Sequence, residues 1–225
     1  MSGRRFGSLA RLVSLAAPPA APAAGDMWYR SDLSQYRASD GGAGEQLTLG
    51  PTGNIPVVAT ARWHHVGTPY GNAGTINLPN ERLYAIPFWP GRACTLTGMA
   101  VNVTLALIGG SIRMGIYTSD GALPTTLHTD FGTVGAALTG IRSITGLTAR
   151  VRPVLHYLVI ARQSAGVTLT VSARSSWDPM VADAAATITA NNNAYFIDGV
   201  SGALPASFGA PAGTDQGPCA VVQLT

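Results

Sequence analysis

Between residues 99 and 118 the chain switches faces at every second position. Met99, Val101, Val103 and Leu105 alternate with Ala100, Asn102 and Thr104, and Ile112, Met114 and Ile116 alternate with Arg113, Gly115 and Tyr117. A period of two is the mark of a strand with one buried face. Gly109-Gly110 separates the two runs, so the pattern predicts a hairpin of strands 94–104 and 111–118, with Ser119-Asp120-Gly121 as the next turn. Further strands are predicted at 82–88, 127–134, 141–147, 156–163, 167–173, 195–197 and 220–224, with 57–63 opening the series. Pro87 places 82–88 at a sheet edge. The run Tyr157-Leu158-Val159-Ile160-Ala161 is the most apolar and belongs in the middle of a sheet. Short strands at regular spacing, bounded by Gly, Pro and Ser, predict an all-β chain whose body (81–225) is an antiparallel, jelly-roll-like β-sandwich.

Ahead of that body the pattern changes. Residues 1–24 open with a basic start, an apolar stretch and small residues, as a signal peptide does, but Arg11 interrupts the apolar run and Pro18 ends it too soon. The expectation is an N-terminal anchoring arm and Ala/Pro linker over 1–24, with Leu9, Leu12 and Val13 as the anchor against a partner. Residues 25–50 read as a small β-meander with strands at 27–30, 35–37 and 46–49. It is too small to bury its own core, so Trp28, Tyr29 and Tyr36 are expected at an oligomer interface, in a homotrimer. Residues 51–80, rich in Gly and Pro, read as a loop-rich connector.

Composition sharpens this picture. Hydrophobic residues make up 46% of the 225 and charged residues 11%, against about 25% charge in an ordinary soluble domain. A surface that relies on Thr, Ser, Asn and Gly suits a component of a rigid particle. All basic side chains but the four His are Arg, spread singly, so the net charge of +3 marks no nucleic-acid patch, and no 20-residue apolar span predicts insertion in a membrane. Cys94 and Cys219 are expected as thiols.

No catalytic constellation emerges: the acidic residues are scattered, mostly in turns, and no Gly-x-Ser-x-Gly elbow or phosphate loop is present. Arg62-Trp63-His64-His65 concentrates aromatic and imidazole groups, but adjacent His on a strand point to opposite faces, and no metal site or cofactor is predicted. Sugar recognition calls for an aromatic platform beside amides and carboxylates. Two late loops offer that chemistry, with Trp177 and Asp178 in one and Asn192 and Tyr195 in the other, and these four are the expected glycan contacts.

Two stretches resemble known proteins. Gly25, Asp26, Trp28, Tyr29, Tyr36, Arg37, Asp40 and Gly41 are similar to a repeat of tailed-bacteriophage tail fibres and head fibres. Gly110, Ser111, Arg113, Gly115, Ile116, Tyr117, Pro124, Leu127 and Gly132 resemble the signature of phage virion β-sandwich domains. The resemblance implies a virion fibre or spike protein, located on the particle surface, that is anchored to other virion proteins through its N-terminal arm, attaches to host polysaccharide and is not an enzyme. A decoration protein without a receptor and a polysaccharide depolymerase are the alternatives.

Overall fold

The structure is a computed structural model that describes residues 14–15, 27–30, 35–39, 46–49, 62–66, 72–91, 93–163, 168–175, 181 and 192–225. The chain divides into two compact units, 1–52 and 53–225.

In the first unit β1 (Ser14–Leu15), β2 (Met27–Arg30), β3 (Gln35–Ser39) and β4 (Gln46–Leu49) form one four-stranded sheet in sequence order. The three strands of the predicted meander are there. The addition is β1, which pairs in parallel with Tyr29 and Arg30, so two residues of the expected arm belong to this sheet. Trp28 is opposite Arg37, and Tyr29 is opposite Tyr36. Leu9, Leu12 and Val13 lie outside the described residues.

The second unit is a two-sheet antiparallel sandwich, as the alternation predicts. Its strands are β5 (Trp63–His65), β6 (Asn72–Asn77), β7 (Leu83–Phe88), β8 (Cys94–Leu105), β9 (Ser111–Ser119), β10 (Pro124–Gly135), β11 (Gly140–Val151), β12 (His156–Arg162), β13 (Thr170–Ser175), β14 (Ala194–Ile197), β15 (Gly213–Asp215) and β16 (Ala220–Leu224). Sheet I runs β10-β9-β12-β7-β14-β15 and sheet II runs β5-β16-β8-β13-β6, with β11 also paired to β8. Leu96, Met99, Val101 and Val103 of β8 meet Ile112, Met114 and Ile116 of β9 and Leu158 and Ile160 of β12 in the core between the sheets.

Four expectations change. First, β8 and β9 do not form a hairpin: β8 pairs with β11, β16 and β13, and β9 with β10 and β12. Residues 106–110 are an arch from one sheet to the other, and the hairpin comes one strand later, at β9–β10. Its turn is the predicted one, with Asp120 Oδ1 accepting from the N–H groups of Ala122 and Leu123 at 2.9 and 2.8 Å. Those bonds hold the Asp120 carboxyl below the usual carboxylate range. Second, β7 is a central strand, flanked by β12 and β14. The ladder to β14 covers Leu83–Ala85 and stops short of Pro87, so the missing proline N–H breaks no bond there. Third, the expected connector carries β5 and β6, both members of sheet II. Fourth, β13 begins at Thr170; residues 164–167 lie outside the described residues.

The central strands β7 and β12 of sheet I are buried on both faces. The segment from Asp198 to Ala212 crosses the sheet's outer side as a strap, and Val200, Leu204 and Phe208 pack there on Tyr117, Tyr157, Val159 and Tyr195. Hydrogen bonds pin the strap along its length. Val200 N–H donates to Glu81 O, Phe208 N–H to Thr125 O, and Leu127 N–H to Ala206 O, while the Tyr117 hydroxyl donates to Pro205 O. Burial, with the charge of Asp130 nearby, pushes the Tyr117 hydroxyl well above its ordinary pKa, so it stays a donor. Asp130 does double duty: it holds Arg113 at 2.7 Å and accepts the Leu204 N–H at 3.2 Å.

Burial raises the Asp130 pKa, but the bonds from Arg113, Gly132 N–H and Leu204 N–H outweigh it and hold the carboxyl below its ordinary value. A group with a depressed folded pKa contributes stability above its unfolded pKa of about 3.9 and loses it as pH falls through the folded value. Asp130→Asn should therefore lower stability near neutrality and flatten the acid side of the profile. Thermal melts from neutral to strongly acid pH test this; an acid limb as steep as in the unaltered chain would assign it to other carboxylates.

The cysteines are unbridged, as expected. Ala220, next to Cys219, pairs with Val101, seven residues along β8 from Cys94, or about 23 Å at ~3.3 Å per residue, too far for a disulfide.

Candidate binding face on sheet II

The residues of β8 that enter the core leave Gly98, Ala100 and Asn102 facing outward, and register extends that outer face across the sheet. Trp63 on β5 is opposite Gln223 on β16, Gln223 is opposite Gly98 on β8, and Gly98 is opposite Thr145 on β11. The next row is His65, Val221, Ala100 and Ser143. Cross-strand partners share a face, so both rows lie on the face turned away from the core, with Gly98 and Ala100 themselves buried and Thr145, Ser143 and His65 exposed.

Trp63 is the dominant feature of this face. A Cβ built on Gly98 would stand 2.8 Å from Trp63 Cη2 and 3.4 Å from Gln223 Cβ. The tip of the indole therefore reaches across β16 to the bare backbone of Gly98, where a side chain would collide with it, so glycine suits a strand interior that otherwise disfavours it. Even so the side chain keeps 40% of its surface exposed. Beside it the Thr97 hydroxyl donates to Gln223 O at 3.2 Å, with Gln223 Oε1 at 3.3 Å. Further along, Asn102 Nδ2 donates to Ser172 Oγ at 2.8 Å. An aromatic plane with amides and hydroxyls around it can stack on the C–H face of a sugar ring and hydrogen-bond its hydroxyls.

The adjacent histidines divide as the strand period requires, His65 exposed and His64 half-buried. At one end of sheet I the His156 ring is buried between Phe88 and His128, with ring centroids 6.5 and 6.3 Å away. Burial lowers its pKa, against the Nδ1 hydrogen bond to Val154 O at 2.8 Å. It reads as a closure of the core.

The most charged cluster also braces the fold. Arg82 grips both carboxylate oxygens of Asp198, at 2.7 and 3.1 Å, reaches Asp215 at 3.2 Å and lies 3.8 Å over the Phe196 ring. The Tyr84 hydroxyl donates to the same Asp215 oxygen at 3.4 Å. Burial and that carboxylate push the tyrosine pKa up to about 12. Both carboxylates are committed to one guanidinium, which ties β14 and β15 to β7.

Of the four predicted glycan contacts, two are among the described residues. Trp177 and Asp178 lie outside the described residues. Asn192 is half-buried at the approach to β14. Tyr195 is only 2% exposed, with its ring edge-on to Tyr157 at 5.9 Å. It belongs to the core under the strap and offers no face to a ligand. Asn193 acts as a clamp: its Oδ1 accepts the Gly217 N–H and its N–H donates to Asp215 O.

Comparison with protein families, with curated proteins and with solved structures finds no match to this chain. Its function must be argued from its own residues. Trp63 was visible in the sequence as part of the aromatic–imidazole cluster, but the glycine that makes it a platform lies 35 residues away, and only the register brings the two together.

Proposed function

We propose that this chain is a structural protein of a particle surface, of the tail-fibre or head-fibre kind, whose sandwich attaches the particle to host polysaccharide. The observation that carries the reading is the Trp63 indole, which reaches Gly98 with its tip, is 40% exposed and stands in one row with Gln223 and Thr145. The low charge and the all-β architecture suit a particle component. In this reading the small N-terminal sheet trimerises the chain through the segments around Trp28, Tyr29 and Tyr36, and several weak sites sum to useful avidity. The mechanism is adhesion, without a chemical step. Asp120, Asp130, Asp198 and Asp215 are each engaged by backbone N–H groups or arginine, which does not favour a depolymerase.

The test is binding of the full chain to host cells and to polysaccharide extracted from their surface. Trp63→Ala should weaken binding at least tenfold, and Gly98→Val should do the same by displacing the indole, while both variants melt as cooperatively as the unaltered chain. A folded Trp63→Ala protein that binds as tightly as the original would sink the assignment of the face.

A second reading, a decoration protein without a receptor, is favoured by an apolar tip. The arch 106–110 and the β10–β11 loop are tied together by Leu107 N–H to Ala136 O and Ala136 N–H to Gly110 O. Around them Leu105, Ile108, Leu138 and Ile141 are exposed, Ile108 by 93%. This reading expects no polysaccharide binding and loss of particle incorporation in Ile108→Asp.

A further inference from the structure

The sandwich separates its charges by sheet. The strands of sheet II, β11 included, contain no Asp or Glu. The acidic residues described in this unit are Glu81, Asp120, Asp130, Asp198 and Asp215, all on sheet I or the turns and strap joined to it. Of the described arginines, Arg142 on β11 donates to Leu138 O and Thr139 O. Arg82 and Arg113 are paired with aspartates, and Arg162 donates to Leu78 O. Arg62, Arg150 and Arg152 are exposed, and their guanidinium groups make no hydrogen bond or ion pair to another described residue.

Those three arginines gather at the Trp63 end of sheet II. Arg62 directly precedes Trp63. Arg150 is opposite Thr95, three residues along β8 from Gly98, or roughly 10 Å at ~3.3 Å per residue. Thr95 and Arg150 alternate with the core residues Leu96, Ala149 and Val151, so Arg150 shares the outer face with Trp63, and Arg152 follows just beyond the strand. Unpaired guanidinium groups beside an aromatic platform, with no acid on the sheet, select for a ligand that carries negative charge.

Resting on the attachment reading above, we propose that this face binds an acidic polysaccharide: one sugar stacks on Trp63 while anionic groups of neighbouring sugars bind Arg150 and Arg152. The arginines stand to one side of a flat hydroxyl- and amide-bearing sheet, which fits a polar saccharide chain better than it fits a ladder of stacked bases.

The experiment measures binding of the full chain to polygalacturonate, to neutral dextran and to a single-stranded DNA of similar charge, at low and at 0.5 M salt (about 0.15 M being physiological). Polygalacturonate is expected to bind at least tenfold tighter than dextran, to weaken as salt rises, and to bind tighter than the DNA. Arg150→Gln with Arg152→Gln should bring the ratio of acidic to neutral binding close to one, whereas Trp63→Ala should weaken both polymers. Equal binding of polygalacturonate and dextran, both dependent on Trp63, would overturn the charge assignment and leave the attachment reading standing. Tighter binding of the DNA would overturn it in favour of a nucleic-acid face. Binding of none of the three, and of no host polysaccharide, would overturn both.

Discussion

Phe208→Ala should destabilise the second unit by about 3–5 kcal/mol, the range for deleting a large buried aromatic. Phe208 is the deepest anchor of the strap: it is buried, its ring stands edge-on to Tyr117 at 5.6 Å, and its N–H donates to Thr125 O at 2.8 Å. Removing the ring leaves a cavity against Tyr117 that sheet I cannot close, because β9 is held in register by β10 and β12. The loss should appear as a lower urea midpoint, with earlier proteolytic cleavage between residues 198 and 212. A variant with an unchanged midpoint would mean that the strap is not part of the cooperative unit.

Gly115→Val should cost about 1–3 kcal/mol through overpacking. Gly115 sits in the middle of β9, where a residue without a side chain is normally a weakness. Here a Cβ would overlap Leu204 Cδ1 and stand 2.9 Å from the Thr129 carbonyl oxygen. The leucine can rotate away and the backbone oxygen cannot, so Gly115→Val lifts the strap and strains the β9–β10 ladder together. A double-mutant cycle separates the two parts. Leu204→Ala should cost less in the Gly115→Val background than alone, since part of its packing is already lost. Strictly additive effects would show that Gly115 is not there for the strap.

These two residues show what the sequence could reveal. Alternation reported which residues enter a core, and the strands of the sandwich were legible for that reason. It could not report partners. A Gly-Gly break between two alternating runs fits a hairpin and an arch equally well, and residues 106–110 form an arch because β11 and β16 occupy the flanks of β8. The β6 sequence NAGTIN is too polar and too small to read as a strand, and it exists because β13 holds it from Asn72 to Asn77. Tyr195 misled for a related reason: an aromatic that follows asparagines at the start of a strand suggests a ligand contact, but the strap covers the face of β14 on which it lies. Arginine spacing hid the basic end of sheet II as well. Arg62, Arg150 and Arg152 form no run along the chain, and the order β5-β16-β8, with β11 on β8, gathers them. The motif residues Arg113, Gly115 and Tyr117 bear on the strap through Asp130, Leu204 and Pro205 respectively.

The place of β16 has a consequence for how the chain is made. Ala220 to Leu224 lie between β5 and β8 and join them, so β8 waits for a partner on the order of a hundred residues downstream. At about 5–20 residues per second, a ribosome takes roughly ten seconds to deliver it. Through that interval β8 presents a bare edge, and Trp63 lacks the strand that carries it to Gly98. Several copies emerging side by side could pair through those edges before each closes on itself. Dilute synthesis, or a helper that shields the nascent strand, should therefore raise the yield of soluble protein more than added stability would.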